Sequence, residues 1–226
     1  MDAAIVTGAA GALGHAVVEE FCAQGRAVIA LDRPSPRLDA LGEADGVYSI
    51  AVDLAARDAV RAAFAQVDDL PVTADALVGL AGGFTPASLA DTDEDLLDSL
   101  WTSNFGSALW TAQAAAARFG ANGGGTIVMV GSKTAVSGPA PIAHATSKAA
   151  VVRLAQLLSD ELRPQHIRVN TVLPSVIDTP ANRTWMSPEL AARAVAPAAI
   201  AKVIAFLCSS DAAPISGAMI PVYGDA

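Results

Sequence analysis

Cysteine, histidine and charge are all scarce in this chain. Of 226 residues, two are cysteines, three are histidines, and charged residues make up 16%. Cys22 and Cys208 lie far apart with no C-x-x-C spacing, so they read as buried thiols rather than a disulfide or a metal pair. The histidines form no cluster with Asp or Glu at metal-ligand spacing, and no catalytic metal is expected. No apolar run reaches the roughly 18–20 residues that span a bilayer, and Lys202 breaks the longest, 195–208. No basic stretch precedes the first strand pattern, so no export signal is expected. These absences point to a cytoplasmic protein without membrane contact. Basic residues are outnumbered 14 to 23, giving a net charge of −9. Such a surface repels phosphate backbones, and nucleic acid is not an expected partner.

Apolar residues are abundant. They make up 53% of the chain, enough for one sizeable core in a single domain, 1–226. Short Val/Ile-rich runs at 3–7, 27–31, 47–52, 75–80, 125–131, 167–173 and 217–222 read as strands. Ala/Leu-rich stretches at 12–24, 56–66, 93–119, 144–163, 188–194 and 197–209 read as helices. The strand runs are continuously apolar, as Ile127–Val130 shows, which suits a sheet covered on both faces. The expected fold is α/β: a doubly wound parallel sheet (Rossmann fold) of about seven strands with helices on both faces.

The first strand runs into Gly8-Ala-Ala10-Gly11-Ala12-Leu13-Gly14, and a helical pattern follows. Gly8 allows the turn out of the strand, Gly11 a close backbone approach to a pyrophosphate, and Gly14 tight packing of the helix on the sheet. The helix N-terminus then presents unpaired N–H groups to phosphate. Asp32 ends the second strand 18 residues after Gly14, where a carboxylate accepts ribose hydroxyls and repels a 2′-phosphate. This favours NAD, with NADP open because Arg33 follows directly. Asp53 ends the third strand, where it and Leu54 can hold the adenine or Asp53 can cap the next helix.

Farther along stand Ala81-Gly82-Gly83, Asn104, Ser132, Lys148, and Leu173-Pro174 through Asp178-Thr179-Pro180. In order and spacing this set resembles the short-chain dehydrogenase/reductase family over nearly the whole chain. More narrowly, Ala81–Phe84, Trp101–Ser103 and Leu173–Arg183 look like the quinonoid dihydropteridine reductase branch. The resemblance implies an NAD(P)-linked oxidoreductase, and it implies roles. Asn104 would hold a water and the backbone of a proton relay. Ser132 would donate to the substrate oxygen, and Lys148 would bind the nicotinamide ribose and tune the acid. Ile177 and Thr179 would hold the carboxamide. The family also implies a homodimer or homotetramer, pairing through the helix at 144–163 and the last strand.

The departures are as informative. Leu80 stands where an asparagine often precedes Ala-Gly, and Ser175 replaces the usual glycine after Pro174. Above all, His144 occupies the place of the family's catalytic tyrosine. Its reach is shorter by roughly 2 Å, and Lys148 and an oxidised nicotinamide both disfavour imidazolium. A neutral imidazole is a poor acid and a competent base. Three readings stay open: an oxidoreductase with His144 in the acid/base place, a nucleotide-binding protein of low turnover, and a non-redox enzyme using His144 as base. The expected substrate is a small carbonyl, alcohol or imine-like molecule. Phe84, Thr134, Val136, Pro139, His144, Ser175, Trp185 and Met186 are the expected walls, with 181–190 as a lid. His15 and His166 read as surface residues.

Overall fold

Along the first strand, β1 (Asp2–Thr7), side chains alternate across the sheet. Ala3 and Ile5 enter one core, Ala4 and Val6 the other. The remaining elements, in the computed structural model describing residues 2–225, follow in strand–helix alternation. They are α1 (Ala12–Ala23), β2 (Ala27–Asp32), α2 (Pro36–Gly42), β3 (Val47–Ala51), α3 (Arg57–Asp68), β4 (Thr73–Gly79), α4 (Glu94–Leu100) and α5 (Ser107–Ala121). Then come β5 (Gly125–Val130), α6 (Ile142–Glu161), β6 (Ile167–Pro174), α7 (Pro180–Arg183), α8 (Pro188–Ala191), α9 (Pro197–Leu207) and β7 (Met219–Val222).

The seven strands form one sheet in the order β3-β2-β1-β4-β5-β6-β7, every pair parallel. Phe64, Phe119 and Val151 from α3, α5 and α6 cover one face. Phe21, Leu38, Ile200 and Ile204 from α1, α2 and α9 cover the other. Each such side chain contributes about 1.5–3 kcal/mol by leaving water. The strand order reverses between β1 and β4, which opens a crevice at their carboxyl ends.

Three differences from the sequence expectation have local causes. The stretch 93–119 is not one regular helix. Between α4 and α5, Trp101–Gly106 winds as a π-helix, with the Ser107 N–H bonding back to the Thr102 carbonyl. The wider turn carries Asn104 inward while Ala108, Ala112 and Ala115 keep the α5 face on the core. No helix is expected over Pro36–Gly42, yet α2 forms there behind Ser35. Its hydroxyl accepts from Leu38 N at 3.2 Å, Pro36 opens α2, and Leu38 and Leu41 are buried beneath it. The stretch 188–194 is helical only to Ala191, because Val195 leaves to bridge Ile177.

Both cysteines are free thiols. Cys208 is buried and its thiol is pushed up to about 12 by desolvation, whereas Cys22 is only partly covered, contrary to expectation. His15 and His166 are exposed, and His166 holds φ 58 at the end of a 3₁₀ turn. Among the described residues no helix is long and apolar enough to cross a membrane.

Candidate active site

The glycine loop is closed by contacts that exclude side chains. Gly8 leaves β1 at φ +66, and a Cβ there would meet the Ala81 backbone nitrogen at 2.9 Å. A Cβ on Gly14 would overlap the Gly8 carbonyl and Ala9. Gly14 therefore seats α1 against its own loop, rather than against the sheet as the sequence suggested. Gly11 is the N-cap of α1 and supplies no side-chain cap, so the first N–H groups, from Ala12 onward, lack a side-chain partner. Asp32 ties this loop to β2: one carboxylate oxygen accepts from Ala10 N at 2.9 Å, the other from Arg33 N at 2.7 Å. Asp53 is exposed and accepts from Ala55 N at 3.0 Å. The N-cap of α3 is Ala56, so Asp53 does not cap that helix; the helix starts too far along. Leu54 turns its side chain into the core.

The carboxyl end of β4 is held by a residue the sequence reading overlooked. The buried Thr7 hydroxyl accepts from Leu80 N at 3.1 Å and Ala81 N at 3.3 Å. It secures the strand end at which the family's asparagine is missing. Beyond it, Asn104 grips Gly83 at both backbone polar groups. Its Oδ1 accepts from the Gly83 N–H at 2.9 Å, and its Nδ2 donates to the Gly83 carbonyl at 3.2 Å and to Ser147 Oγ at 2.9 Å. Ser147, fully buried one residue before Lys148, donates to the His144 carbonyl at 2.9 Å. This hydroxyl was also overlooked, although Ala-Thr-Ser-Lys displays it.

His144 and Lys148 are both buried on α6, one turn apart. Lys148 Nζ donates to the Val130 carbonyl at 3.0 Å, and desolvation lowers its pKa to about 8. Burial, then the charge of Lys148, hold His144 below the usual histidine value, opposed by its contact with the Gly83 carbonyl. The ring rests edge-on against Phe84 with centroids 5.0 Å apart. Ser132, after β5, accepts from Thr134 N at 3.2 Å, and its hydroxyl lies 2.7 Å from that of Thr134.

These residues line a cleft of about 530 Å³. Of the expected walls, Phe84, Thr134, Pro139, His144, Ser175 and Trp185 line it, as do the expected site residues Leu13, Gly82, Gly83, Ser132, Lys148, Pro174 and Ile177. Val136 and Met186 do not: the 3₁₀ turn Lys133–Ala135 ends in an exposed Val136, and Met186 lies in the turn after α7. Ser175 turns its hydroxyl away, donating to the Tyr223 carbonyl at 2.6 Å. Thr179 caps α7 by accepting from Asn182 N at 3.1 Å. Asn182 donates to the Ile177 carbonyl at 2.9 Å and lines the cleft, a role that no motif or spacing signals. Phe84 stacks on Trp185 at 6.4 Å between centroids.

Residues 2–190 match the short chain dehydrogenase family. The chain is 31% identical to the 3-oxoacyl-[acyl-carrier-protein] reductase MabA of Mycobacterium tuberculosis, over 97% of this chain and 90% of that protein. It is also 31% identical to the D-xylose 1-dehydrogenase of Caulobacter vibrioides, over 94% of this chain and 90% of that one. Among solved structures, an oxidoreductase from Burkholderia thailandensis superposes with TM-score 0.89 at 31% identity, over 99% of this chain and 91% of that one. The L-sorbose reductase of Gluconobacter frateurii, complexed with NADPH and L-sorbose, superposes with TM-score 0.90 at 25% identity, covering 98% and 95%. The protein belongs to the short-chain dehydrogenase/reductase family, a family of oxidoreductases.

Proposed function

We propose that this protein transfers hydride between a nicotinamide dinucleotide, NAD favoured over NADP, and a small carbonyl, alcohol or imine/quinonoid compound, with His144 in the general acid/base place. The observation that carries this is the convergence of Leu13 from the glycine loop with Ser132, His144 and Lys148 on one cleft at the carboxyl ends of the strands. The fit to a dinucleotide rests on three features. The loop excludes any side chain at Gly8 and Gly14, α1 offers N–H groups without a side-chain cap, and Asp32 stands at the β2 end. Asp32 spends one acceptor site on Ala10 and one on Arg33, and a carboxylate has about four. The remainder suit ribose hydroxyls.

When bound, the nicotinamide supplies or accepts the hydride. The chain's own residues do the rest. Lys148, Ile177 and Thr179 would orient the nicotinamide end, while Leu54 and Asp53 would meet the adenine. Ser132 would hold the substrate oxygen by exchanging its contact with Thr134. His144 would move the proton. Relatives named for oxoacyl, xylose and sorbose chemistry support carbonyls and alcohols as candidates. The resemblance of Ala81–Phe84 and Leu173–Arg183 to the dihydropteridine reductase branch adds quinonoids. The L-sorbose reductase bound to NADPH and a relative named as an NAD-dependent glycerol dehydrogenase give precedent for either cofactor. A homodimer or homotetramer through α6 and β7 belongs to the same proposal, supported by the exposed Leu157 and Met219. So does a cytoplasmic setting, supported by two free thiols.

The test is a fluorescence titration with NADH and NADPH, followed by turnover against a panel of carbonyls, alcohols and quinonoids. Binding of NADH tighter than NADPH, with turnover lost in His144→Phe, is expected. Tight binding without turnover, gained only in His144→Tyr, sinks the reading of His144 as the working group.

A further inference from the structure

His144 has one ring nitrogen already committed. Its Nδ1 lies 3.3 Å from the Gly83 carbonyl oxygen. A carbonyl only accepts, so the single proton of the neutral ring sits on Nδ1. The carbonyl is not free to turn, because Asn104 holds residue 83 by both its N–H and its oxygen. The second Nδ2 contact of Asn104, to Ser147, and the bond from Ser147 to the His144 carbonyl tie the same clamp back to α6. Nε2 takes no part. Among the described residues, Arg26 Nε is the one buried side-chain polar atom without a partner. Nε2 of His144 therefore keeps contact with solvent, and His144 meets solvent through the cleft it lines.

We infer that the Asn104–Gly83 clamp fixes His144 as a proton acceptor at Nε2, so that the resting protein is poised to take the hydroxyl proton of an uncharged alcohol. This deepens the proposed function and rests on it. An alcohol offers a donor to Nε2, whereas a carbonyl offers only a second acceptor. Among the described residues the cleft lining includes no Asp, Glu or Arg, and its one cation, Lys148, is buried and bonded to Val130. An uncharged substrate suits such walls.

The step balances as follows. The substrate O–H bond breaks and its proton binds Nε2. The carbinol C–H bond breaks, and its hydrogen leaves with both electrons to the oxidised nicotinamide. The C–O bond becomes double, so the alcohol loses two electrons and the dinucleotide gains two. Imidazolium then returns its proton to water in the cleft, helped by the burial and by the Lys148 charge that disfavour it. Lys148 is the titratable group that acts on the ring. Phe84 and Gly83, which meet it from another segment, do not titrate.

The experiment has two arms. Nitrogen NMR of the nucleotide-free protein labelled at histidine, with His144 assigned by its loss in His144→Phe, reads the tautomer directly. The expected result is an Nδ1–H, bare-Nε2 ring. An Nε2–H ring overturns this inference and leaves the proposed function standing. In the second arm, kcat/KM for alcohol oxidation should rise with pH through the His144 titration and level off. It should fall about 10²–10⁴-fold in His144→Phe while NADH affinity holds. An oxidation rate that ignores both pH and the substitution overturns the inference. Loss of nucleotide binding in the native protein overturns the proposed function instead.

Discussion

The two sides of the cleft are built in opposite ways. On the glycine-loop side, backbone meets backbone: Gly8 against Ala81, Gly14 against Gly8, the Ala9 N–H against the Leu31 carbonyl. On the facing side, Phe84 is 47% exposed and Trp185 51%, and the short helices α7 and α8 flank Trp185. The first side has no room to vary, while the second has little to lose. The proposed dinucleotide asks for one fixed cradle, whereas the relatives are named for different substrates, from 3-oxoacyl-[acyl-carrier-protein] to D-xylose and L-sorbose. Rigid strand ends suit the first task and adaptable loops the second.

Substitutions can break or sharpen this contrast. The largest effect is expected for Gly14→Val, whose side chain would displace the Gly8 carbonyl. A stability loss of about 3 kcal/mol or more, read by urea denaturation, should accompany loss of NADH binding. Next comes Asn104→Ala, which leaves the Gly83 N–H unpaired and its carbonyl held by His144 alone, at the boundary between the two sides. A loss of about 2–3 kcal/mol is expected, with an altered His144 tautomer.

Lys148→Met should act in the other direction. Its native pKa is depressed to about 8 from 10.5, so the unfolded chain binds the proton more tightly. The charged amine thus costs stability below about pH 8, and the cost vanishes as pH rises toward 10.5. The nucleotide-free variant should gain about 1–2 kcal/mol at pH 7, after the unpaired Val130 carbonyl is counted, and should lose about 1–2 kcal/mol above pH ~10, where only that carbonyl counts. Its nucleotide affinity should fall. The smallest stability effect belongs to Trp185→Ala. A change within ±0.5 kcal/mol in denaturation, with KM raised about tenfold and kcat nearly kept, would place this wall in substrate binding alone.

The same contrast explains what could be read from sequence. All seven strands were legible because a doubly covered parallel sheet demands continuous apolar runs. The turn at Gly8 and the place of Asp32 at the end of β2 were legible because they depend on local chain geometry. Thr7, Ser147 and Asn182 were not, because each works through partners distant in sequence or through a backbone carbonyl that no spacing reveals. Val136 and Met186 were misplaced because the direction of a loop side chain is set by the turn, not by its neighbours in sequence. Asp53 does not take up the capping alternative, because Ala56 is the N-cap of α3 and Asp53 lies in the turn before it.

The π-helical turn at Trp101–Gly106 works as a phase joint. Residues before it and residues after it follow separate helical clocks, and Asn104 sits where the two fall out of step. Removing a single residue there would let one clock run through, but only by rotating α4 against its neighbours or α5 off the core. The slack that lets Asn104 reach Gly83 is thus the same slack that lets two helices satisfy different surroundings. A length change in this turn should be less tolerated than most substitutions within it.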